Sequence, residues 1–353
     1  MNDPNLQARY AAQRLAFAPL MFQACRALRD VGILERLQTA RERGLTADEA
    51  VKALGLSKYA AELLLEAGLA SGLCSYEEGT EPRFFITPMG SYWLRDHLTR
   101  VNAEFNHHVC YKGAFDLKEA LLEGRPAGLQ EIDHSGAATV YEALRSLPED
   151  VKKAWFDFDH HYSDGVFELC LPTVLTKDVS TVVDVGANTG RFAQLLLERS
   201  KVKVTLVDLP GQLAVAKENL QKQFEGRFTL SPMNLLSPEA KVPAGADVYW
   251  MSQFLDCFSE DEIRSILMRV RQAMRPDSKA YILETFWDQQ VHEAARYCVI
   301  GTSLYFACIA NGNSRMYHSR VLTRLAHEAG LRIAHEEQQV GLSHTLLTCV
   351  PAL

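Results

Sequence analysis

A short apolar segment that runs directly into a glycine-bearing turn constrains the fold of this chain more than any other feature. It reads Thr181-Val-Val-Asp-Val-Gly-Ala-Asn-Thr-Gly-Arg-Phe192 and leads into a helical sequence. β-branched residues favour a buried strand, and Gly186 and Gly190 have no Cβ, so a ligand can lie against the backbone. Because ligands of open α/β sheets bind beyond the carboxyl ends of the strands, we expect a nucleotide-type site here.

The details of this turn distinguish two classes of cofactor. A dinucleotide fingerprint places three glycines as GxGxxG around a pyrophosphate, whereas this turn has Asn188 at the third position. Asp184 just before the turn would repel a pyrophosphate but suits a ligand with an amino group and a sulfonium. Asp208 follows the next predicted strand, at about the offset at which an acid meets ribose hydroxyls. The pattern favours S-adenosylmethionine over NAD, and a turn without a ligand is the alternative.

Extended and helical patterns alternate from Ser180 onward. The predicted strands span 181–185, 202–207, 228–230, 246–251 and 280–285, and the predicted helices span 192–199, 213–224, 260–274 and 319–329. The segments 331–339 and 344–350 predict a terminal antiparallel hairpin. Strands that alternate with helices indicate a mostly parallel sheet covered on both faces. The predicted class is α/β, with a Rossmann-like doubly wound sheet.

The first part of the chain carries helix signals and then two short extended runs. Thr46-Ala-Asp-Glu49 is a capping box, and Ser57 is the N-cap of the next predicted helix. Helix, turn, helix and a hairpin over 73–87 are the layout of a winged helix. We therefore expect three parts: a winged-helix domain over 1–100, a helical linker over 101–170 and the sheet domain over 171–353.

Charge and hydropathy exclude several classes of function. The 353 residues carry a formal net charge of −7, which argues against broad electrostatic binding to nucleic acid or anionic membrane. The second helix of the predicted winged helix, 57–66, has one Lys and two Glu, so we expect no nucleic-acid partner. Neither a run of about 18 apolar residues nor an apolar leader is present, so we expect no membrane span and no signal peptide.

The cysteines argue against metal and redox chemistry. No two of them form a CxxC pair, so we expect no metal site and instead free thiols in a reducing cytoplasm. The eight are Cys25, Cys74, Cys110, Cys170, Cys257, Cys298, Cys308 and Cys349.

In these motifs the chain resembles the class I S-adenosylmethionine-dependent methyltransferases. As a whole it is similar to the small-molecule O-methyltransferase family that includes caffeate, hydroxyindole and bacterial antibiotic O-methyltransferases. The resemblance is most specific in four segments: 184–190, Val207-Asp-Leu-Pro210, 253–262 and Ala329-Gly-Leu331. It implies that the winged helix serves dimerisation, so we expect a homodimer.

The resemblance also implies which residues bind the cofactor. Gly186 and Gly190 would approach its methionine part, and Asp208 would hold the ribose hydroxyls. Where the family has Gly-Asp-Met-Phe, this chain has Met233-Asn-Leu-Leu236, whose Asn234 and Leu235 would meet the adenine. A family lysine is replaced by Ser252. The expected set comprises Asp184, Gly186, Asn188, Gly190, Asp208, Leu209, Asn234, Leu235, Ser252 and Gln253.

The largest departure from the family concerns the general base. The family segment Leu-His-Asp-Trp-Ser-Asp-Glu is matched by Leu255-Asp-Cys-Phe-Ser-Glu-Asp261, which puts Asp256 where the family has its histidine. An ordinary carboxylate, with a pKa of about 3.9, is a weaker base than imidazole, although burial can raise its pKa. Glu284 matches a family acid that supports the base, and the two acids would then share a proton.

Three interpretations of this departure stay open. Asp256 is the base, another residue is the base, or the enzyme uses proximity alone or is inactive. Among the other residues, His160 matches a family methionine of the acceptor pocket, and the pair His107 and His108 is a weaker candidate. The expected catalytic set is therefore Asp256, Glu284 and His160.

The expected function is methylation of the hydroxyl of a small aromatic, phenolic acceptor. Carbon methylation of a phenol ring and a cofactor-binding pseudo-enzyme are the alternatives. The aromatic residues expected near the pocket are Phe105, Tyr111, Phe115, Phe254, Phe258, Trp287, Tyr305 and Phe306.

Overall fold

The computed structural model describes residues 3–352. Its contacts divide the chain into two compact units, Met1–Ala103 and Glu104–Leu353. Each is described by itself below. The threefold division made from the sequence, with its helical linker over 101–170, stays a prediction.

The first unit is a small helical domain with one hairpin. Its elements are α1 Pro4–Asp30, α2 Ile33–Ala40, α3 Ala47–Leu54, α4 Lys58–Ser71, β1 Cys74–Glu77, β2 Arg83–Ile86, α5 Pro88–Arg95 and most of α6 His97–Phe105, whose last two residues belong to the second unit. The predicted capping box is present: the Glu49 N–H donates to the Thr46 hydroxyl at 3.1 Å, and the Thr46 N–H donates to the Glu49 carboxylate at 3.0 Å. β1 and β2 pair antiparallel. The layout expected of a winged helix is therefore confirmed.

The second unit begins with helices and then forms a sheet. The helices are α7 Leu117–Glu123, α8 Val140–Ala143 and the long α9 Glu149–Val174. The strands are β3 Thr181–Val185, β4 Lys203–Asp208, β5 Phe228–Pro232, β6 Val248–Ser252, β7 Lys279–Glu284, β8 Leu331–Val340 and β9 His344–Pro351. Between them lie α10 Arg191–Arg199, α11 Pro210–Phe224, α12 Glu260–Ala273, α13 Glu293–Tyr305 and α14 Ser319–Glu328.

The seven strands form one mixed sheet in the order β5-β4-β3-β6-β7-β9-β8. The five strands from β3 to β7 run parallel, and β9 pairs antiparallel with both β7 and β8. This confirms the predicted doubly wound α/β class with a terminal hairpin. The strand order reverses between β3 and β6, and at such a switch point the loops after neighbouring strands separate and leave a crevice.

Buried apolar residues cover both faces of this sheet. One core includes Ile266 of α12 and Leu325 of α14, and the other includes Phe167 of α9 and Leu213 of α11. In the second core the rings of Phe192 and Trp250 stack with centroids 4.0 Å apart. The helices packed on both faces of the sheet hold the carboxyl ends of the parallel strands in fixed positions.

Sequence reasoning missed one helical region. It assigned no element to residues 293–310, where the structure has α13 and a π-helical turn, Phe306–Ala310. The sequence also predicts a helix from about Pro148 to Leu171, whereas α9 continues to Val174 with Pro172 inside it. Among the described residues, no helix is long and apolar enough to cross a membrane.

Candidate active site

The glycine loop after β3 is tied to the end of the neighbouring strand β4. The N–H groups of Gly186 and Ala187 both donate to the carbonyl of Val207, at 2.9 and 3.2 Å. Gly186 has φ +80°, and a Cβ there would lie 2.2 Å from the ring of Phe254. The missing Cβ is therefore needed for the close contact between this loop and the segment after β6.

Gly190 packs closely against core side chains of the second unit. Its φ is +81°, and a Cβ there would lie 3.2 Å from the Cβ of Ala216 on α11. The sequence predicts that a ligand approaches where the Cβ is missing. In the structure, the side chains of Ala216, Leu220 and Leu206 lie on that side. The contact of Gly190 with the methionine part of the cofactor stays a prediction.

Asp208 closes the loop from the end of β4. Its carboxylate accepts the N–H of Asn188 at 2.8 Å and the N–H of Leu209 at 2.6 Å. Burial raises the pKa of Asp208 to about 6. The sequence therefore identified three residues, Asp208, Asn188 and Leu209, that the structure brings together in one hydrogen-bonded group.

Asp184 lies at the end of β3 and is 3 % exposed. Its carboxylate accepts the N–H of Ala193 in the first turn of α10, while its Oδ2 has no hydrogen-bond partner within residues 3–352. Burial and the nearby charge of Asp208 raise the pKa of Asp184 to about 8. A ligand that brings positive charge would stabilise both carboxylates.

Sequence reasoning missed Asp159, which α9 turns toward the glycine loop. The Asn188 side-chain amide donates to Asp159 Oδ2 at 3.2 Å. Burial, followed by the charges of Asp164 and Asp256, raises the pKa of Asp159 to about 7. A signal was present: residues two apart on a helix point about 200° away from each other, so Asp157 and Asp159 lie on opposite sides of α9.

His160 has different neighbours from those of Asp159. The charges near it belong to Asp164, Arg191 and Asp157, and burial lowers its pKa. The structure thus brings Asp159, the residue before the predicted candidate, into the electrostatic neighbourhood of Asp256. A catalytic role for His160 stays a prediction.

Asp256 lies in the turn that follows β6, and Glu284 at the end of β7 is close enough for the charge of Asp256 to act on it. Asp256 is 8 % exposed, in a short 3-10 turn, and burial raises its pKa to about 6. Glu284 accepts the N–H groups of Phe254 and Leu255 at 3.1 and 2.8 Å, so it holds that turn in place. Burial and the charge of Asp256 raise the pKa of Glu284 well above its usual range.

Cys257 and Tyr141 adjoin Asp256. The Cys257 thiol donates to Asp256 Oδ1 at 3.4 Å. The buried Tyr141 hydroxyl has no hydrogen-bond partner among the described residues, and burial, with a smaller contribution from the nearby charge of Asp256, raises its pKa. Burial raises the pKa of Cys257 well above its usual range, so the residue stays a thiol. The base candidate thus accepts a hydrogen bond from a neutral thiol.

An aromatic cluster lies next to these acids. The rings of Phe105 and Phe158 stack with centroids 3.9 Å apart, and the ring of Tyr305 meets Phe105 edge-on at 5.0 Å. The Trp155 indole N–H donates to the Tyr305 hydroxyl at 2.7 Å. Burial raises the pKa of Tyr305 well above its usual range, with Asp159 among its charged neighbours.

Phe115 does not belong to this cluster. It was expected near the pocket but is 92 % exposed. It lies in a short 3-10 turn before α7, where the chain presents it to the surface of the unit.

The remaining predicted cofactor residues differ in how available they are. Ser252 Oγ and Gln253 Nε2 are buried and have no partner among the described residues, so both remain available to a ligand. Asn234 is exposed, and its Oδ1 accepts the N–H of Leu236 at 2.9 Å. Leu235 is 6 % exposed and belongs to the same core as Val207, which leaves little of it for an adenine ring. Contacts of these residues with the cofactor stay predictions.

The fold and the site together define a class I methyltransferase arrangement. An S-adenosylmethionine molecule has an ammonium, a sulfonium and ribose hydroxyls, and the residues present fit it. Unpaired buried oxygens of Asp184 and Asn188 and the carboxylate of Asp208 are the acceptors that such a ligand needs. Among residues 3–352, no group of three histidine, cysteine or acidic side chains could hold a metal ion.

Comparison with known families agrees with this arrangement. Residues 115–332 match the O-methyltransferase domain, and residues 9–84 match the Dimerisation2-like domain. Since the first match covers more than half of the sequence, the chain belongs to the O-methyltransferase family, and it is an S-adenosylmethionine-dependent methyltransferase. The resemblance and the cofactor inferred from the sequence are confirmed.

Individual relatives are distant but cover most of the chain. L-tyrosine C(3)-methyltransferase of Streptomyces lavendulae is 20 % identical, over 86 % of this chain and 81 % of the relative. The structure of the mitomycin 7-O-methyltransferase MmcR aligns with a TM-score of 0.72 at 18 % identity, over 99 % of both chains. Human N-acetylserotonin methyltransferase in complex with SAM aligns with a TM-score of 0.63 at 16 % identity, over 100 % of both chains. At these identities the structural likeness supports the fold.

Proposed function

We propose that this enzyme methylates the hydroxyl of a small phenolic acceptor and that Asp256 is the general base. The observation that carries the proposal is a buried carboxyl group, with a pKa of about 6, at the family's base position and beside an aromatic cluster. When bound, S-adenosylmethionine supplies a methyl group that is already activated for transfer.

The raised pKa makes Asp256 a useful base. It is about two units above the ordinary value of 3.8, so the carboxylate is a stronger base and is still ionised at pH 7.5. The pKa of Glu284 is raised further, because this residue is buried and faces the charge of Asp256. Glu284 therefore keeps the proton that the pair shares, and Asp256 is free to take the proton of the acceptor hydroxyl, whose pKa is about 10 for a phenol.

The aromatic cluster supports an aromatic acceptor. Phe105, Phe158 and Tyr305 present ring faces and edges near Asp256 and Asp159, and aromatic rings bind one another in such stacked or edge-on arrangements. The relatives named above include enzymes whose names give L-tyrosine and N-acetylserotonin as acceptors, and both are aromatic.

Carbon methylation of a phenol ring is a second candidate. It is favoured by the match to L-tyrosine C(3)-methyltransferase and by the replacement of the family's histidine base. In that reaction the phenolate would direct electron density to a ring carbon, and a base would later remove the ring proton. The two candidates are separated by mass and NMR analysis of the product, since only O-methylation removes the phenolic proton signal.

The test of the base compares Asp256→Asn with Asp157→Asn on a panel of phenols. Asp157 is exposed and forms an ion pair with Lys153, so its variant is a matched control. General-base catalysis typically contributes about 10²–10⁴-fold, so we expect kcat/KM to fall by about 100-fold or more in Asp256→Asn only. In the wild type kcat/KM should fall as the pH drops below about 6, because Asp256 becomes protonated.

Two outcomes would contradict the proposal. Unchanged turnover and an unchanged pH profile in Asp256→Asn would exclude this residue as the base. Binding of S-adenosylmethionine in calorimetry, with no S-adenosylhomocysteine formed from any phenol, would indicate a pseudo-enzyme.

We also propose that the protein is a homodimer of the cytoplasm. The first two-thirds of α1 expose a series of large apolar side chains, and the region matches a dimerisation domain. These side chains, 53–74 % exposed, are Leu6, Tyr10, Leu15, Phe17 and Leu20. All eight cysteines are free, as in a reducing compartment. Light scattering after size-exclusion chromatography tests the dimer, and a mass of one chain would contradict it.

A further inference from the structure

Asp159 is a half-buried acid for which the family comparison and the proposed mechanism provide no role. It lies on α9, about 200° around the helix from the exposed Asp157, and its side chain has one hydrogen bond among residues 3–352, accepted from the Asn188 amide. Within residues 3–352 no lysine, arginine or histidine forms an ion pair with it, and the charges that influence it belong to Asp164 and Asp256. Burying a carboxylate among like charges is unfavourable unless a cation joins them.

Asn188 connects Asp159 to the cofactor site. Its backbone N–H donates to Asp208, its side-chain amide donates to Asp159, and its φ is +46°. Asn tolerates this left-handed conformation better than most residues. One residue of the glycine loop thus holds two carboxylates, of which Asp208 is the expected ribose ligand. The Oδ1 of Asn188 is buried without a partner among the described residues, and so is the Oδ2 of Asp184.

Asp159 also neighbours the base candidate, since the charge of Asp256 acts on it. Asp159 is therefore hydrogen-bonded to the loop expected to bind the cofactor and is within electrostatic reach of the group expected to act on the acceptor. The methyl donor of this reaction is a sulfonium, and the same molecule carries an ammonium. Both are cations that a nearby carboxylate can stabilise.

We propose that Asp159, held in place by Asn188, is a cofactor-binding residue whose carboxylate contacts the positive charge of S-adenosylmethionine. The contacted cation is either the sulfonium or the ammonium. A purely structural role, in which Asp159 only orients Asn188, is the competing explanation. Asp159→Asn separates the two, because the amide oxygen can still accept from Asn188 while the charge is lost.

The test measures the Kd of S-adenosylmethionine and of S-adenosylhomocysteine by calorimetry at pH 8, where Asp159 is ionised. The variants are Asp159→Asn and the control Asp157→Asn. Loss of a charge-assisted contact should weaken S-adenosylmethionine binding about tenfold in Asp159→Asn, and less than twofold in the control. S-adenosylhomocysteine keeps the ammonium and lacks the sulfonium. An equal loss for both ligands therefore identifies the ammonium, and a loss for S-adenosylmethionine alone identifies the sulfonium.

The proposal is overturned if Asp159→Asn binds both ligands within twofold of Asp157→Asn. Thermal melting of each variant without ligand shows whether it is folded before binding is measured. If Asp159→Asn is unfolded, Asp159→Ser is measured in the same way and judged by the same thresholds.

Discussion

Cofactor binding should release protons at neutral pH. In the empty site, burial and the charge of Asp208 raise the pKa of Asp184 to about 8, so about nine-tenths of the Asp184 carboxyl groups are protonated at pH 7. An opposite charge within about 4–6 Å lowers the pKa of a carboxyl group by about 1–3 units. A cationic ligand would therefore bring the pKa of Asp184 to about 5–7 and release between about 0.4 and 0.9 proton at pH 7.

Asp159 would add to this release if it also contacts the cation. Its pKa of about 7 means that about half of these groups are protonated at pH 7, and a cation would expel most of that half. The expected total is roughly one proton for each cofactor bound. Because the empty protein holds the protons, the affinity for the cofactor should rise as the pH increases from 6 to 8.

The assay is calorimetry of S-adenosylmethionine binding in buffers with widely different ionisation enthalpies. The slope of the observed binding enthalpy against the buffer's ionisation enthalpy is the number of protons exchanged. We expect a release of about one proton at pH 7 and little at pH 9, where Asp184 is already ionised. Asp184→Asn, where it still binds, should release less than half as many protons as the wild type.

A slope of zero at pH 7, or a net uptake of protons, would refute the reasoning. It would mean that the carboxyl groups around the loop do not meet a positive charge. Asp157→Asn is again the control, since that exposed acid should leave the slope unchanged.

Two further predictions concern stability and packing. Gly186→Ala should lower the free energy of unfolding by about 1–3 kcal/mol and weaken cofactor binding, because its Cβ meets the Phe254 ring. Gly226→Ala, with φ +77° and open space around it, isolates the backbone strain, and equal losses in urea denaturation would contradict the steric argument. Ser259→Ala should cost about 1 kcal/mol in the same assay, because Ser259 and Glu262 form a capping box at the start of α12. A loss below about 0.3 kcal/mol would show that the cap contributes little.

Local signals predicted much of the fold. The strand, turn and helix at 181–199, the capping box at Thr46 and the terminal hairpin all depend on residues close together in the chain, and the structure has them at nearly the predicted bounds. Helix α13 was missed, although Tyr305 and Phe306 in that region were expected near the pocket. No capping residue or apolar periodicity in the sequence marked where this helix begins and ends.

The site was predictable in part. Asp184, Asn188 and Asp208 could be found because each lies at or just after the carboxyl end of a strand, and these ends must lie at the same edge of the sheet. The sequence did not show in the same way which residue of α9 faces that edge of the sheet. The difference between Asp159 and His160 is a rotation of about 100° around the helix axis, and that angle depends on how the whole helix packs.

The sequence by itself determined that this protein has a cofactor loop between a strand and a helix and an acid at the family's base position. Only the tertiary structure decided how these acids behave. The raised pKa values of Asp184, Asp159, Asp256 and Glu284 depend on burial and on one another's charge, and groups far apart in the chain create both effects. Charge spacing along a sequence carries no information about desolvation, and desolvation is the first cause of each shift.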